Sequence, residues 1–74
     1  MPHITIKHFP ADLTQEQEDT LLAKVTDAVT GAFGVGEGVV SIALEPVAPE
    51  AWDEQVYQPE IAGRRHLLRK KPSY

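Results

Sequence analysis

The chain has 74 residues, no cysteine, and 11 acids against 7 lysines and arginines, for a net charge of −4. That length holds one domain, residues 1–74, and excludes a second; a core this small rarely supplies more than about 3–5 kcal/mol without staples or partners. The missing cysteines exclude disulfides and zinc–thiolate sites, so self-association is the expected source of the missing stability.

The three histidines, His3, His8 and His66, are not spaced as metal ligands on a helix, so no metal is expected. No apolar run approaches the ~18–20 residues of a membrane span, and the start has no signal-peptide pattern. A soluble, cytoplasmic protein is the simplest class. Five of the seven basic residues, Arg64, Arg65, Arg69, Lys70 and Lys71, fall after the last acid, Glu60. A tail of this kind either seeks an anionic partner or lies across the acidic body of its own or a neighbouring subunit. The second reading is preferred, because a nucleic-acid surface interleaves aromatics with its basic residues and only Tyr74 does so here.

The chain opens Met1-Pro2-His3-Ile4-Thr5-Ile6-Lys7. Methionine before a small residue is usually trimmed, which would leave Pro2 with a free secondary amine at the start of a strand. An α-amino group titrates at about 7.7–8.0 in model peptides, and an apolar pocket or a nearby cation would lower that value by disfavouring the charged form. Such an amine is a base matched to neutral pH. With Met1 retained, the nitrogen is an amide and has no such use. Alternation over residues 2–8 predicts a strand with Ile4 and Ile6 on one face and His3, Thr5 and Lys7 on the other. Phe9-Pro10 ends it.

Thr14 with Gln17 forms a capping box that opens a helix, and Glu16, Glu18 and Asp19 suit its positive end. Leu21, Leu22, Val25, Ala28, Val29 and Ala32 make one apolar stripe, and Gly31 and Gly34 mark the end. The glycines at 34, 36 and 38 invite a phosphate-loop reading, but they follow a helix and precede a strand, the reverse of the dinucleotide order. A flexible connection is expected instead. Residues 39–45 predict a second strand, apolar on both faces and suited to the middle of a covered sheet. Strand, helix, strand is a βαβ unit, so the strands should run parallel with a right-handed crossover. A short second helix is predicted from Pro49 to Val56, with proline in its first turn. Pro59 and Gly63 should close that region, Leu67-Leu68 suggests a short third strand, and residues 71–74 read as a tail. The fold class is α/β (α+β): one βαβ unit whose uncovered apolar sheet face needs a second copy to complete it.

Pro-His-Ile-x-Ile-Lys at residues 2–7, Ser-Ile-Ala-Leu at 41–44, Pro-Glu-Ala-Trp at 49–52, Glu-Ile-Ala at 60–62 and Lys-Lys-Pro-Ser-Tyr at 70–74 occur in an order and spacing that resembles the 4-oxalocrotonate tautomerase family, and within it the dimeric bacterial branch. The resemblance implies a cofactor-free tautomerase in which Pro2 shuttles a proton within an enol–keto acid. It implies an aromatic pocket residue at Trp52, where plain core packing is the competing reading. It also implies two arginines for a dicarboxylate substrate, at positions that here hold Asp12 and Ser41. An aspartate would repel a carboxylate that an arginine fork grips. A 2-hydroxy-dienoate or arylenolpyruvate with one carboxylate and an apolar end is therefore the expected substrate class. Asp12 and Ser41 are expected to line its site, Ser41 either donating to a substrate oxygen or pointing into the sheet. A replacement cation is sought in Arg64 or Arg65, including those of a neighbouring subunit; otherwise these are solvated tail residues. The expected partners are a small enol or keto acid and a second copy of the chain, with no nucleic acid or membrane. The alternative function is a non-catalytic oligomeric module that binds a small ligand or a protein.

Overall fold

The computed structural model describes residues 1–74. Strand β1 spans His3–His8, helix α1 Gln15–Phe33, and strand β2 Ser41–Pro46. The two strands pair in parallel, from His3 opposite Ser41 to His8 opposite Pro46, as the βαβ reading requires. No helix is long and apolar enough to cross a membrane.

Helix α1 begins where its cap says it should. The Gln17 N–H donates to Thr14 Oγ1 at 3.1 Å, and the Thr14 N–H donates to Gln17 Oε1 at 3.0 Å. Two of the donors that a helix start leaves unpaired are thereby satisfied. The helix ends at Gly34, whose φ of 66° is left-handed and whose N–H reaches Thr30 O at 2.9 Å; glycine takes that conformation without a Cβ penalty. Leu21, Leu22, Val25 and Val29 are half-buried along the predicted stripe, while Ala28 and Ala32 are exposed.

The glycine-rich connection is more structured than its composition predicts. Glu37–Val39 form a single 3₁₀ turn. The N–H groups of Val39 and Val40 are used inside it, by Gly36 O and Glu37 O, so β2 starts two residues later than predicted. Its first ladder bond runs from the Ser41 N–H to the Pro2 carbonyl at 3.2 Å. Nor is β2 apolar on both faces. Ile42 and Leu44 are half-buried, while Ser41, Ala43 and Glu45 are exposed. Register then sorts the sheet cleanly. Ile4, Ile6, Ile42 and Leu44 share one face, and a cavity of about 240 Å³ there is lined by Ile6, Leu44 and, from α1, Leu21. The opposite face carries His3, Thr5, Lys7, Ser41, Ala43 and Glu45. The expectation of an apolar uncovered face is therefore corrected: that face is largely polar.

The second helix is longer and of another kind than predicted. A 3₁₀ turn at Pro49–Ala51 leads into a π-helical segment, Asp53–Ile61, followed by a 3₁₀ segment, Ala62–Leu67. Pro59 does not stop it. The wider π spacing carries the chain past the proline, and the N–H of Ala62, which caps the segment's C-terminal end, is shared between the Tyr57 and Gln58 carbonyls. Arg64, at φ −133° and ψ 34°, breaks the last segment. The predicted third strand at Leu67-Leu68 is absent, because Leu67 is helical and the Leu68 N–H is already bonded to Arg65 O. Close packing within the segment rests on Gly63, where a Cβ would stand 2.8 Å from the Gln58 carbonyl oxygen.

The molecule is a slab of 35 × 32 × 19 Å. Only Val47 and Val56 are buried, while Phe33 is 70% and Leu13 45% exposed. A two-stranded sheet with one helix cannot enclose more. The sheet is open, which agrees with completion by a partner.

Candidate active site

Proline at the N-terminal end of β1 is half-buried. It has no N–H to place in a ladder, and its carbonyl is held by Ser41. The residues around it are those the parallel register supplies. Ser41 lies opposite His3, with its Oγ 2.6 Å from His3 Nδ1. Thr5 Oγ1 stands 3.4 Å from the other ring nitrogen, Nε2. Ser41 is exposed at the start of β2, and its hydroxyl is bonded to His3.

Trp52 lies elsewhere. Its ring meets Phe9 edge-on, with centroids 5.1 Å apart and planes at 89°. Phe9 follows β1 at its C-terminal end, seven residues from Pro2. At ~3.3 Å per strand residue, the two ends are about 20 Å apart. Trp52 Nε1 donates to the Tyr74 hydroxyl at 3.2 Å, and Tyr74 in turn packs on Tyr57 at 5.8 Å. Phe9, Trp52 and Tyr74 line an apolar cavity of about 510 Å³, large enough for a small organic acid. Four of the five aromatic residues thus gather at the end of the sheet remote from Pro2, Phe33 being the exception.

Asp12 belongs to that remote end as well. It lines a shallow depression with His8, Pro10, Ala11 and Pro46, beyond the C-terminal ends of both strands. His8 itself bonds locally, with Nδ1 2.6 Å from Phe9 O. Arg64 and Arg65 are exposed and make no ion pair. The basic tail is not laid across the acids of its own chain; Tyr74 is held by aromatic contacts instead. Within one chain, then, Pro2 and Ser41 are brought together, while Trp52 and Asp12 lie at the other end.

The ion pairs that do form tie the C-terminal half to β1. Lys7 Nζ donates to Glu60 Oε2 in a close contact and lies 3.9 Å from Glu45 Oε2. The hydrogen bond to Glu60 raises the Lys7 ammonium above its ordinary value of 10.5. Partial desolvation opposes the rise, and the Glu60 and Glu45 charges add to it. Lys7 is thereby engaged and unavailable as a handle for an anionic ligand. No cluster of histidines and acids is placed to hold a metal ion.

Sequence reasoning missed three aromatic members of this arrangement. Phe9 reads only as the end of a strand, Tyr57 as part of a helix, and Tyr74 as the tip of a tail. No local signal marks them, since their contacts join residues far apart in the chain.

The parallel βαβ unit with an open sheet is consistent with a small tautomerase-type fold. Residues 2–56 match the family model described as tautomerase enzyme, and the chain belongs to that family. It is 43% identical over its full length to Tautomerase PptA of Klebsiella pneumoniae (strain 342), covering 97% of that protein. It is 39% identical to Tautomerase PptA of Cronobacter sakazakii and 34% identical to that of Pectobacterium carotovorum, again over all of this chain and 97% of each relative. The chain is a tautomerase-type isomerase, and the alternative of a non-catalytic module gives way to an enzyme.

Proposed function

We propose that the protein is a cofactor-free, cytoplasmic enol–keto tautomerase acting on a 2-hydroxy-dienoate or arylenolpyruvate with a single carboxylate, with Pro2 as the shuttling base and acid. The observation that carries the reading is Pro2 itself, half-buried at the open end of the sheet with its carbonyl fixed by the Ser41 N–H. Removal of Met1 converts its nitrogen from an amide to a secondary amine. That amine takes the proton of the enol hydroxyl, and the O–H electron pair becomes part of the new carbonyl. The displaced carbon–carbon π pair then accepts a proton from the Pro2 ammonium at the terminal carbon. No electrons are gained or lost overall, so one base of matched pKa serves both steps. The proline ring fixes φ and leaves the nitrogen little freedom to lose at the transition state.

A second copy of the chain completes the site in this reading. Two copies whose strands run in opposite directions would set the Phe9–Trp52–Tyr74 cavity of one beside Pro2 of the other, supplying the apolar wall that receives the substrate's aryl or dienyl end. A homodimer also covers the apolar side chains that a single chain leaves exposed. Asp12, arriving with that cavity, disfavours a second carboxylate. Arg64, free of ion pairs, is available to the single one.

The test uses protein whose intact mass shows one methionine lost, with phenylenolpyruvate as substrate. Pro2→Ala is expected to lower kcat by roughly 100-fold or more while the far-ultraviolet circular dichroism is retained. Wild-type turnover by this variant would sink the proposal.

A further inference from the structure

The Pro2 end carries a polar chain that proton shuttling by Pro2 alone does not use. Thr5, His3 and Ser41 share the sheet face away from α1, and their side chains touch in sequence. Thr5 Oγ1 lies 3.4 Å from His3 Nε2, and His3 Nδ1 lies 2.6 Å from Ser41 Oγ. Ser41 is also the residue whose backbone N–H holds the Pro2 carbonyl, so its hydroxyl is fixed relative to Pro2 by both main chain and side chain.

A neutral imidazole has one donor nitrogen and one acceptor, so the chain has two possible directions. In one, Ser41 donates to Nδ1 and Nε2–H donates to Thr5, which consumes the Ser41 proton. In the other, the Thr5 hydroxyl donates to Nε2 and Nδ1–H donates to Ser41 Oγ. The Ser41 hydroxyl, already accepting, then turns its own proton outward. Only this second direction leaves a free donor at the Pro2 end. The lysine on the same face, Lys7, is engaged by Glu60 and Glu45 and cannot serve there.

We propose that His3, backed by Thr5, is a positioning residue that aims the Ser41 hydroxyl at the substrate oxygen which becomes negative as Pro2 removes its proton. The inference rests on Pro2 being the base. A donor aimed at developing charge accelerates the step because it strengthens as the charge appears. Exposure in the single chain lets water compete, so the effect is smaller than in a dry site.

Kinetics and nitrogen-15 NMR of the full-length processed protein test it. Ser41→Ala should lower kcat by about 10- to 100-fold with little change in KM, below the range seen for enclosed oxyanion donors. His3→Leu should lower kcat about tenfold, and should do nothing further in the Ser41→Ala background, because residues that act as one unit are not additive. His3→Asn, whose amide nitrogen takes the place of Nδ1–H, should recover most of the loss. In its neutral form, the His3 ring should be the Nδ1–H tautomer in the wild type and lose that preference in Ser41→Ala. A wild-type Nε2–H tautomer, or losses from His3→Leu and Ser41→Ala that multiply, would overturn this role and leave the Pro2 reading intact. Full activity in Pro2→Ala removes both.

Discussion

The two ends of the sheet differ in every property that matters for chemistry. One end, with Pro2, His3, Thr5 and Ser41, is polar and holds the proposed base. The other, with Phe9, Trp52, Tyr57 and Tyr74, is apolar and holds the cavity. In the proposed function, neither is an active site alone. Proton transfer without an apolar wall leaves the substrate in water, and a cavity without a base binds and does nothing. The distance between them, about 20 Å along β1 at ~3.3 Å per residue, is too great for one small acid to bridge. The proposed dimer of oppositely directed chains would bring the two ends together.

The sharpest way to break that contrast is to disable the two ends separately. Trp52→Ala should cost about 10- to 100-fold in kcat/KM, the loss expected when a large apolar contact is removed. Mixing unfolded Trp52→Ala and Pro2→Ala chains and refolding them together should then restore activity. Half of the dimers would be mixed, each with one intact site, giving about a quarter of the wild-type site number. No recovery on mixing would mean that each site is built from one chain.

A smaller effect tests the strap between the ends. Lys7 joins β1 to Glu60 in the segment that carries Tyr57. Its folded pKa is raised above 10.5, so its contribution to stability is complete below the unfolded value and is lost as pH rises through the higher folded value. The thermal midpoint should fall in that alkaline window, and Lys7→Met should remove the Lys7 part of the fall. The mildest probe is Tyr74→Phe, which deletes the acceptor for Trp52 Nε1. An exposed bond of this kind is worth about 0.5 kcal/mol. The expected drop in Tm is therefore about 2–4 °C, with the ring contact to Tyr57 preserved.

The legible parts of the molecule were those governed by local rules. Thr14 with Gln17 and Gly34 bracket α1 almost to the residue, because caps act within a few positions along the chain. Alternation in residues 3–8 marks β1 and its faces for the same reason. The C-terminal half was misread wherever a distant partner decides. Pro59 reads as a stop unless the π spacing around Tyr57 and Gln58 is known, and Leu67-Leu68 reads as a strand unless Arg65 is known to take the Leu68 N–H. In the candidate site, Pro2 stood out because its chemistry is its own. The separation of Trp52 from Pro2, and the touching of His3 and Ser41, depend on strand register, which two separated stretches of sequence do not state.

The closeness of Gly63 to the Gln58 carbonyl bears on how this end of the protein can diversify. Any side chain at 63 would collide with main chain, whereas Arg64 and Arg65 beside it are exposed and unpaired. Drift in that stretch is therefore channelled. The path of the backbone is locked by one position while the charge carried past it is free to change, so substitutions can reset the surface charge there without rebuilding the scaffold.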